Sequence, residues 1–172
     1  DVTLIAAHVS VDISPLFNVI HVETSKEMAK VTFDLVKDFD IFISTAAISD
    51  FEVVGRKNKK ISSDSSLSIS LKPTIKIIRN IKKINPDIFL VGFKAEFNIT
   101  RDEIIYCARK QINDAGTDIV VANDVSHKDC NFGSDMNEVL IIDDDVLSVP
   151  LASKDEIAKT IIKIISDKTS CR

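Results

Sequence analysis

Three short runs of consecutive apolar residues constrain the fold of this chain more than any other feature. They are DIFIST at 40–45, IFLVGF at 88–93 and DIVVAN at 118–123. Such runs are typical of strands in a parallel sheet, because helices cover both faces of that sheet. The chain has 172 residues, of which 45% are hydrophobic. It is therefore long enough for one well-packed domain.

Helical patterns separate these runs and share one start signal. In a capping box, a Ser or Thr and a Glu three residues later satisfy free backbone N–H groups at a helix N-terminus. We therefore predict capped helices that begin at Thr24/Glu27, Thr100/Glu103 and Ser153/Glu156.

The other segments complete an α/β pattern. DVTLIAA at 1–7 and NVIHVE at 18–23 are predicted strands, and a helix is predicted over 75–84. SLSISL at 66–71 alternates, which favours a strand with two different faces. NEVLIIDDDVLSVP at 137–150 predicts two antiparallel strands around a turn of aspartates. We predict a single layered α/β domain over 1–172, with a mostly parallel sheet and an antiparallel element near the C-terminus.

Composition excludes several classes of site. The four glycines are scattered, so neither a GxGxxG fingerprint nor a Walker loop is present. The three cysteines and three histidines are also scattered, which argues against a zinc site and fits a reducing, cytoplasmic setting. A formal net charge of −4 argues against nucleic acid as a partner, and no apolar run is long enough to cross a membrane.

Polar residues follow the apolar runs at the point where ligands bind in open α/β sheets. They occur in TAAISDF, GFKAE and ANDVS. We expect their side chains to approach one crevice, and the alternative is that they are ordinary caps and turn formers. The candidates are Asp50, Lys94, Glu96, Asn123 and Asp124.

A cluster of positive charge lies between the first two of these segments. Arg56, Lys57, Lys59 and Lys60 fall within five consecutive residues. Such a cluster can hold an anionic substrate such as a triphosphate. A solvated basic turn is the alternative that composition alone favours.

Taken in order, TAAISDF, KKIS, LVGFKAE and DIVVANDVS followed by FGSDMNEV closely resemble the phosphopantothenate–cysteine ligase family, from about residue 1 to 167. The segments VGFKAE and LKPT are most similar to those of archaeal members. The resemblance implies a Rossmann-like three-layer domain and a homodimer, often fused behind a flavin-dependent decarboxylase. It also implies a role in coenzyme A biosynthesis, in which CTP and Mg²⁺ convert 4'-phosphopantothenate to an acyl-cytidylate that the amine of cysteine attacks.

The resemblance also implies roles for individual residues. Asp50 matches an aspartate that contacts the nucleotide at the ribose, and Lys60 matches a catalytic lysine on a flap over the phosphates. A flap lysine would stabilise the charge that develops on the phosphates. Further nucleotide contacts are implied for Thr74, Ile75, Lys76 and Ile77, whose backbone reads the base, and for Phe93 and Asn123.

The chain departs from the family pattern on the third helix. Many members carry two lysines that hold the triphosphate, where this chain has Gln111 and Ala115. Lys94 and Lys110 are the nearby substitutes, and ATP is conceivable in place of CTP. The metal ligands stay unknown.

A second departure concerns the family's first strand, its phosphate loop and the stretch that follows, which this chain does not contain. About forty residues would supply that βα unit. We expect a fragment of a longer, bifunctional ligase that is inactive by itself. The alternative is a non-catalytic nucleotide-binding or scaffolding subunit that keeps the fold.

Overall fold

The computed structural model describes residues 1–55, 59, 66–128, 130 and 133–170. These residues form two compact units, which interleave along the sequence. The first unit comprises Asp1–Leu35 and Ala46–Ile77, and the second comprises Val36–Thr45 and Ile78–Arg172. The strands are β1 Thr3–Ala6, β2 Asn18–His21, β3 Ile41–Ser44, β4 Phe51–Val53, β5 Leu71–Pro73, β6 Phe89–Glu96, β7 Ile119–Asp124, β8 Met136–Ile142 and β9 Val146–Ser153. The helices are α1 Ser25–Leu35, α2 Ile78–Ile84, α3 Arg101–Ala115 and α4 Lys154–Thr169, with a short 3-10 helix at Val36–Asp38.

A five-stranded sheet in the order β3-β6-β7-β8-β9 forms the centre of the second unit. The β3, β6 and β7 strands run parallel to one another, and β8 and β9 extend the sheet antiparallel. The predicted α/β architecture with its parallel strands and C-terminal antiparallel element is therefore confirmed. Asp145 donates its backbone N–H to the Asp143 carboxylate at 2.8 Å, so the aspartates between β8 and β9 form a turn, as predicted.

Helices cover both faces of this sheet. The apolar side of α4 (Ile157, Ile161 and Ile165) packs on one face, and Ile104 and Ala108 of α3 pack on the other. Because side chains alternate along a strand, β7 supplies Ile119 and Val121 to the α4 face and Val120 and Ala122 to the α3 face. The apolar runs at 88–93 and 118–123 are thus explained by burial on both sides.

The three predicted capping boxes are present. Glu27 accepts the Thr24 backbone N–H at 3.1 Å, and Thr24 Oγ1 accepts the Glu27 N–H at 3.2 Å. The boxes at Thr100 and Ser153 are also reciprocal. No helix in the part of the chain that the structure describes is long and apolar enough to span a bilayer.

Some local predictions were wrong. Residues 66–70 are not a strand, and α2 begins at Ile78 rather than at 75. Ile41 and Ile43 are each 37% exposed, so β3 is not covered on both faces as its apolar run suggested. It lies at the end of the strand order, where it has one strand neighbour among the described residues.

The first unit contains two small two-stranded sheets. The β1 and β2 strands pair in parallel, and α1 packs on β1. The β4 and β5 strands pair antiparallel, with Phe51 opposite Pro73 and Val53 opposite Leu71. We call this second pair the ribbon. Its first strand, β4, was not predicted from the sequence.

Candidate functional site

The residues next to the ribbon bring together several of the predicted nucleotide contacts. Asp50 directly precedes β4 and Thr74 directly follows β5, so strand pairing places them side by side. The Thr74 backbone N–H donates to the Asp50 carbonyl at 2.9 Å, and Thr74 Oγ1 donates to the Ser49 carbonyl at 2.5 Å. Lys76 Nζ donates to Asp50 Oδ1. We call Ser49, Asp50, Thr74 and Lys76 the ribbon corner.

The ribbon corner is open to solvent. The side chains of Asp50 and Lys76 are 67% and 45% exposed, and Thr74 is half-buried. Ile75 is exposed, whereas Ile77 is buried and is therefore placed for packing rather than for ligand contact by its side chain. An exposed carboxylate held by a cation can accept hydrogen bonds from the hydroxyls of a sugar.

The ribbon itself has one polar and one apolar face. On the polar face, Glu52 accepts hydrogen bonds from Lys72 at 3.0 Å and from Lys26 of α1 at 3.1 Å. The hydrogen bonds from Lys72 and then from Lys26 lower the pKa of Glu52. The other face carries Phe51, Val53 and Leu71, each more than half exposed. Lys26 could not be predicted as a partner of the ribbon, because α1 and the ribbon are distant in the chain.

In the second unit, the other candidates lie at the ends of β6 and β7, on opposite faces of the sheet. Phe93 continues the series Phe89 and Val91 on the α4 face, and Asn123 continues Ile119 and Val121 there. Asn123 donates to Asn137 Oδ1 at 3.2 Å. Lys94 and Glu96 lie on the opposite face, where they form an ion pair at 2.8 Å. Phe93 and Asn123 thus share a face, and Lys94 does not lie on it.

The Asp124 carboxylate holds a loop in place through hydrogen bonds to its backbone. Its carboxylate accepts backbone N–H groups from Ser126 at 2.8 Å, Asn98 at 3.0 Å and Ile99 at 3.2 Å. Burial raises the pKa of Asp124, but the hydrogen bonds from Ser126, Ile99 and Asn98 outweigh it and lower the pKa to about 2. The turn-forming alternative therefore accounts for Asp124.

A pocket of about 220 Å³ opens beside Asp124, at the ends of β7 and β8. Its floor is apolar, from Ile104, Ala122 and Leu140. Its polar lining includes Arg101, Asn123, Asp124, His127, Glu138 and Ser148. We call it the strand-end pocket. The sequence indicated Asn123 and Asp124 but not Glu138 and Ser148, because β8 and β9 reach this place only through their antiparallel pairing.

The positions that hold lysines in many family members face the interior here. Ala115 is buried, and Gln111 Nε2 lies 2.1 Å from where a Cβ would stand on Gly92. A glycine is therefore needed at 92 for the Gln111 side chain to pack on β6. Lys110 is exposed on α3. Neither Gln111 nor Ala115 can present a charge to a phosphate.

Parts of the predicted site lie outside the described residues, namely Arg56, Lys57 and Lys60. The catalytic role of Lys60 stays a prediction. Within the ranges that the structure describes, no group of three His, Cys, Asp or Glu residues could hold a metal ion.

Comparison with known proteins decides the family. The family model described as DNA/pantothenate metabolism flavoprotein C-terminal domain matches residues 1–168. The chain belongs to this family. The resemblance that the motifs TAAISDF and ANDVS indicated is therefore confirmed.

One similar protein matches most of this chain. The Coenzyme A biosynthesis bifunctional protein CoaBC of Thermococcus kodakarensis is 41% identical over 162 residues, which are 92% of this chain and 39% of that protein. The chain thus spans about two fifths of this relative's length.

Solved structures share the fold. The DNA/pantothenate metabolism flavoprotein from Streptococcus pneumoniae superimposes with a TM-score of 0.82 at 24% identity, over 96% of this chain and 80% of that one. A Cab2 mutant in complex with phosphopantothenate-cysteine superimposes with a TM-score of 0.71 at 18% identity, over 88% of this chain and 53% of that one.

Proposed function

We propose that this family member is the ligase domain of a coenzyme A biosynthesis protein. In this proposal it joins 4'-phosphopantothenate to cysteine at the expense of CTP, within a cytoplasmic protein that also carries a flavin-dependent decarboxylase. The observation that carries the proposal is the family match over residues 1–168. The similar Thermococcus protein is a coenzyme A biosynthesis protein, which supports the proposed pathway. The Cab2 complex contains phosphopantothenate-cysteine, which supports the proposed product.

The proposed reaction has two steps. A carboxylate oxygen of phosphopantothenate attacks the α-phosphorus of CTP, the bond to the β-phosphate breaks, and pyrophosphate leaves. The amine of cysteine then attacks the acyl carbon, the acyl–oxygen bond breaks, CMP leaves and the amine loses a proton. Negative charge develops on the phosphates in the first step, so a cation placed there lowers the barrier.

We assign the ribbon corner to nucleotide recognition. Asp50 would accept a hydrogen bond from the ribose, and the backbone from Thr74 to Ile77 would contact the base. For Phe93 and Asn123, in the second unit, the nucleotide contacts that the resemblance implies stay part of the proposal. The bonds of Thr74 to the carbonyls of Ser49 and Asp50 support this assignment, since they fix the corner before a ligand arrives.

Two further parts of the proposal concern charge. Among the described residues, no group of three His, Cys, Asp or Glu side chains could hold a metal ion. Mg²⁺ is commonly bound through substrate phosphates together with one or two carboxylates, and we expect it to arrive in that way. We expect Lys60 near the phosphates, and Lys94 and Lys110 stay the proposed substitutes for the lysines that Gln111 and Ala115 replace.

Calorimetric titration of CTP, and then of ATP, into the chain in the presence of Mg²⁺ tests the nucleotide site. We expect one of the two nucleotides to bind and the Asp50→Ala variant to bind it much more weakly, with a Kd that is still measurable. Asp144→Ala is a matched control, since Asp144 is an exposed carboxylate in the β8–β9 turn. Equal binding by wild type and Asp50→Ala would refute the role of Asp50.

Turnover by the natural full-length protein tests the reaction itself. We expect release of pyrophosphate that requires both phosphopantothenate and cysteine. Nucleotide binding without turnover in the full-length protein would instead identify a non-catalytic binding subunit.

We also propose that two copies associate through the apolar face of the ribbon. Phe51, Val53 and Leu71 are 55%, 55% and 57% exposed, and neighbouring apolar side chains in such number mark an interaction surface. Sedimentation should show a dimer for the wild type and a monomer for Val53→Asp/Leu71→Asp. Ile162→Asp, at a similarly exposed position on α4, should remain a dimer. A monomeric wild type would contradict this surface.

A further inference from the structure

Lys76 has a contact that its implied role does not explain. The resemblance gives the backbone of residues 74–77 a part in reading the base and leaves the Lys76 side chain without a function. In the structure this side chain reaches Asp50, where Nζ donates to Oδ1. The predicted ribose contact is therefore one half of an ion pair.

The rest of the ribbon corner fixes the backbone of Asp50. The Thr74 bonds both end on main-chain carbonyls, those of Ser49 and Asp50. They determine where the Asp50 side chain starts, but they do not restrict its two side-chain torsions. The Lys76 ammonium acts further out, on the carboxylate itself.

The exposure of this carboxylate makes such a restraint useful. The Asp50 side chain is 67% exposed, so solvent and rotamer freedom compete with any single orientation. Ordering a side chain during binding costs free energy, and a contact that orders it beforehand removes part of that cost. Lys76 lies two residues beyond Thr74, so the strand pairing that registers Thr74 on Asp50 also places Lys76 within reach.

We propose that Lys76 is a positioning residue for Asp50, whose ammonium group holds the carboxylate in the orientation that accepts a ribose hydroxyl. This inference rests on the proposed function. It differs from direct phosphate binding by Lys76, which would contribute independently of Asp50. A double-mutant cycle separates the two roles, because a residue that acts only through Asp50 adds nothing once Asp50 is gone.

The experiment measures the Kd of CTP, or of ATP if that nucleotide binds, for the natural full-length protein. The variants are Lys76→Met, Lys76→Arg, Asp50→Ala and Asp50→Ala/Lys76→Met. Lys72→Met is the matched control, since Lys72 lies in the same ribbon and pairs with Glu52 on its polar face. Thermal unfolding of each variant reports any loss of structure.

We expect Lys76→Met to weaken nucleotide binding by about fivefold, the upper range for an exposed ion pair, with no change in Tm. Lys76→Arg should stay within about twofold of the wild type, because it restores a cation at the same carboxylate. Lys72→Met should bind like the wild type. The double variant should bind no more weakly than Asp50→Ala.

Three results would overturn the inference while the proposed function stands. They are a Lys76→Met variant that binds like the wild type, one that binds more tightly, and a double variant in which the two losses add. Tighter binding would show that Lys76 competes with the ribose, and additive losses would show a separate contact. If Asp50→Ala binds normally, the assignment of Asp50 fails and this inference fails with it.

Discussion

The β4–β5 ribbon and the β6–β7 pair are both built from apolar strand residues, yet water reaches them very differently. Leu90, Val91, Val120 and Val121 in the sheet are at most 1% exposed, whereas Phe51, Val53 and Leu71 in the ribbon are more than half exposed. Burial of apolar surface stabilises the first pair, and a few hydrogen bonds and ion pairs hold the second. Segments of low local stability are where ligand-binding elements are commonly found. The difference therefore supports the assignment of the ribbon corner to recognition and of the sheet to support.

The same substitution in both regions should give the largest contrast. Leu90→Ala removes a fully buried side chain and should lower the free energy of unfolding by about 3 kcal/mol, since both transfer and cavity terms contribute. Leu71→Ala, at a position that is 57% exposed in the single chain, should cost less than about 0.5 kcal/mol when the protein is dilute enough to be monomeric. Urea denaturation under those conditions measures both. Equal losses would show that Leu71 is buried within the monomer.

An ion pair shielded from water should also contribute more to the free energy of unfolding than an exposed one. The difference should be smaller than for apolar side chains. Lys82 pairs with Asp118 at 2.9 Å and also donates to the Ile88 carbonyl at 2.6 Å, with side chains only 22% and 16% exposed. Lys82→Met should lower the free energy of unfolding by about 2 kcal/mol, because a charge-assisted bond is lost where water is limited. Lys159→Met removes an exposed pair with Asp155 and should cost about 0.3 kcal/mol. If denaturation shows both variants equally stable, burial is not what strengthens the Lys82 pair.

The loop that Asp124 holds should respond to acid. The folded pKa of about 2 lies below the ordinary aspartate pKa of 3.8, so this carboxylate contributes stability above pH 4. That contribution is lost as the pH falls through the folded pKa. Asp124→Asn should cost about 1 kcal/mol at pH 7 and flatten the acid limb of stability between pH 4 and pH 2. Thermal unfolding across that range measures the effect. An unchanged acid limb would mean that Asp124 has no special role in this loop.

The sequence predicted the second unit better than the first for a physical reason. Strands buried on both faces are continuously apolar, and capping boxes satisfy backbone groups within a few residues, so both are encoded locally. The β4 strand was missed because it is only three residues long and its partner lies eighteen residues beyond its end. Polar and apolar residues alternate over 66–71, as they do in a strand with two different faces. Residues 66–70 nevertheless pair with no other strand that the structure describes. Alternation by itself does not supply a partner.

The candidate site shows the same division. The sequence singled out Asp50, Phe93 and Asn123 through motifs, and it determined the helix caps, the apolar runs and the family. Only the tertiary structure decided that Lys76 meets Asp50, that Asp124 holds a loop, and that Gln111 and Ala115 face inward. Each of these outcomes depends on which strands pair and which side of the pleat a residue occupies. Those are relations between distant segments, and the local sequence of neither segment contains them.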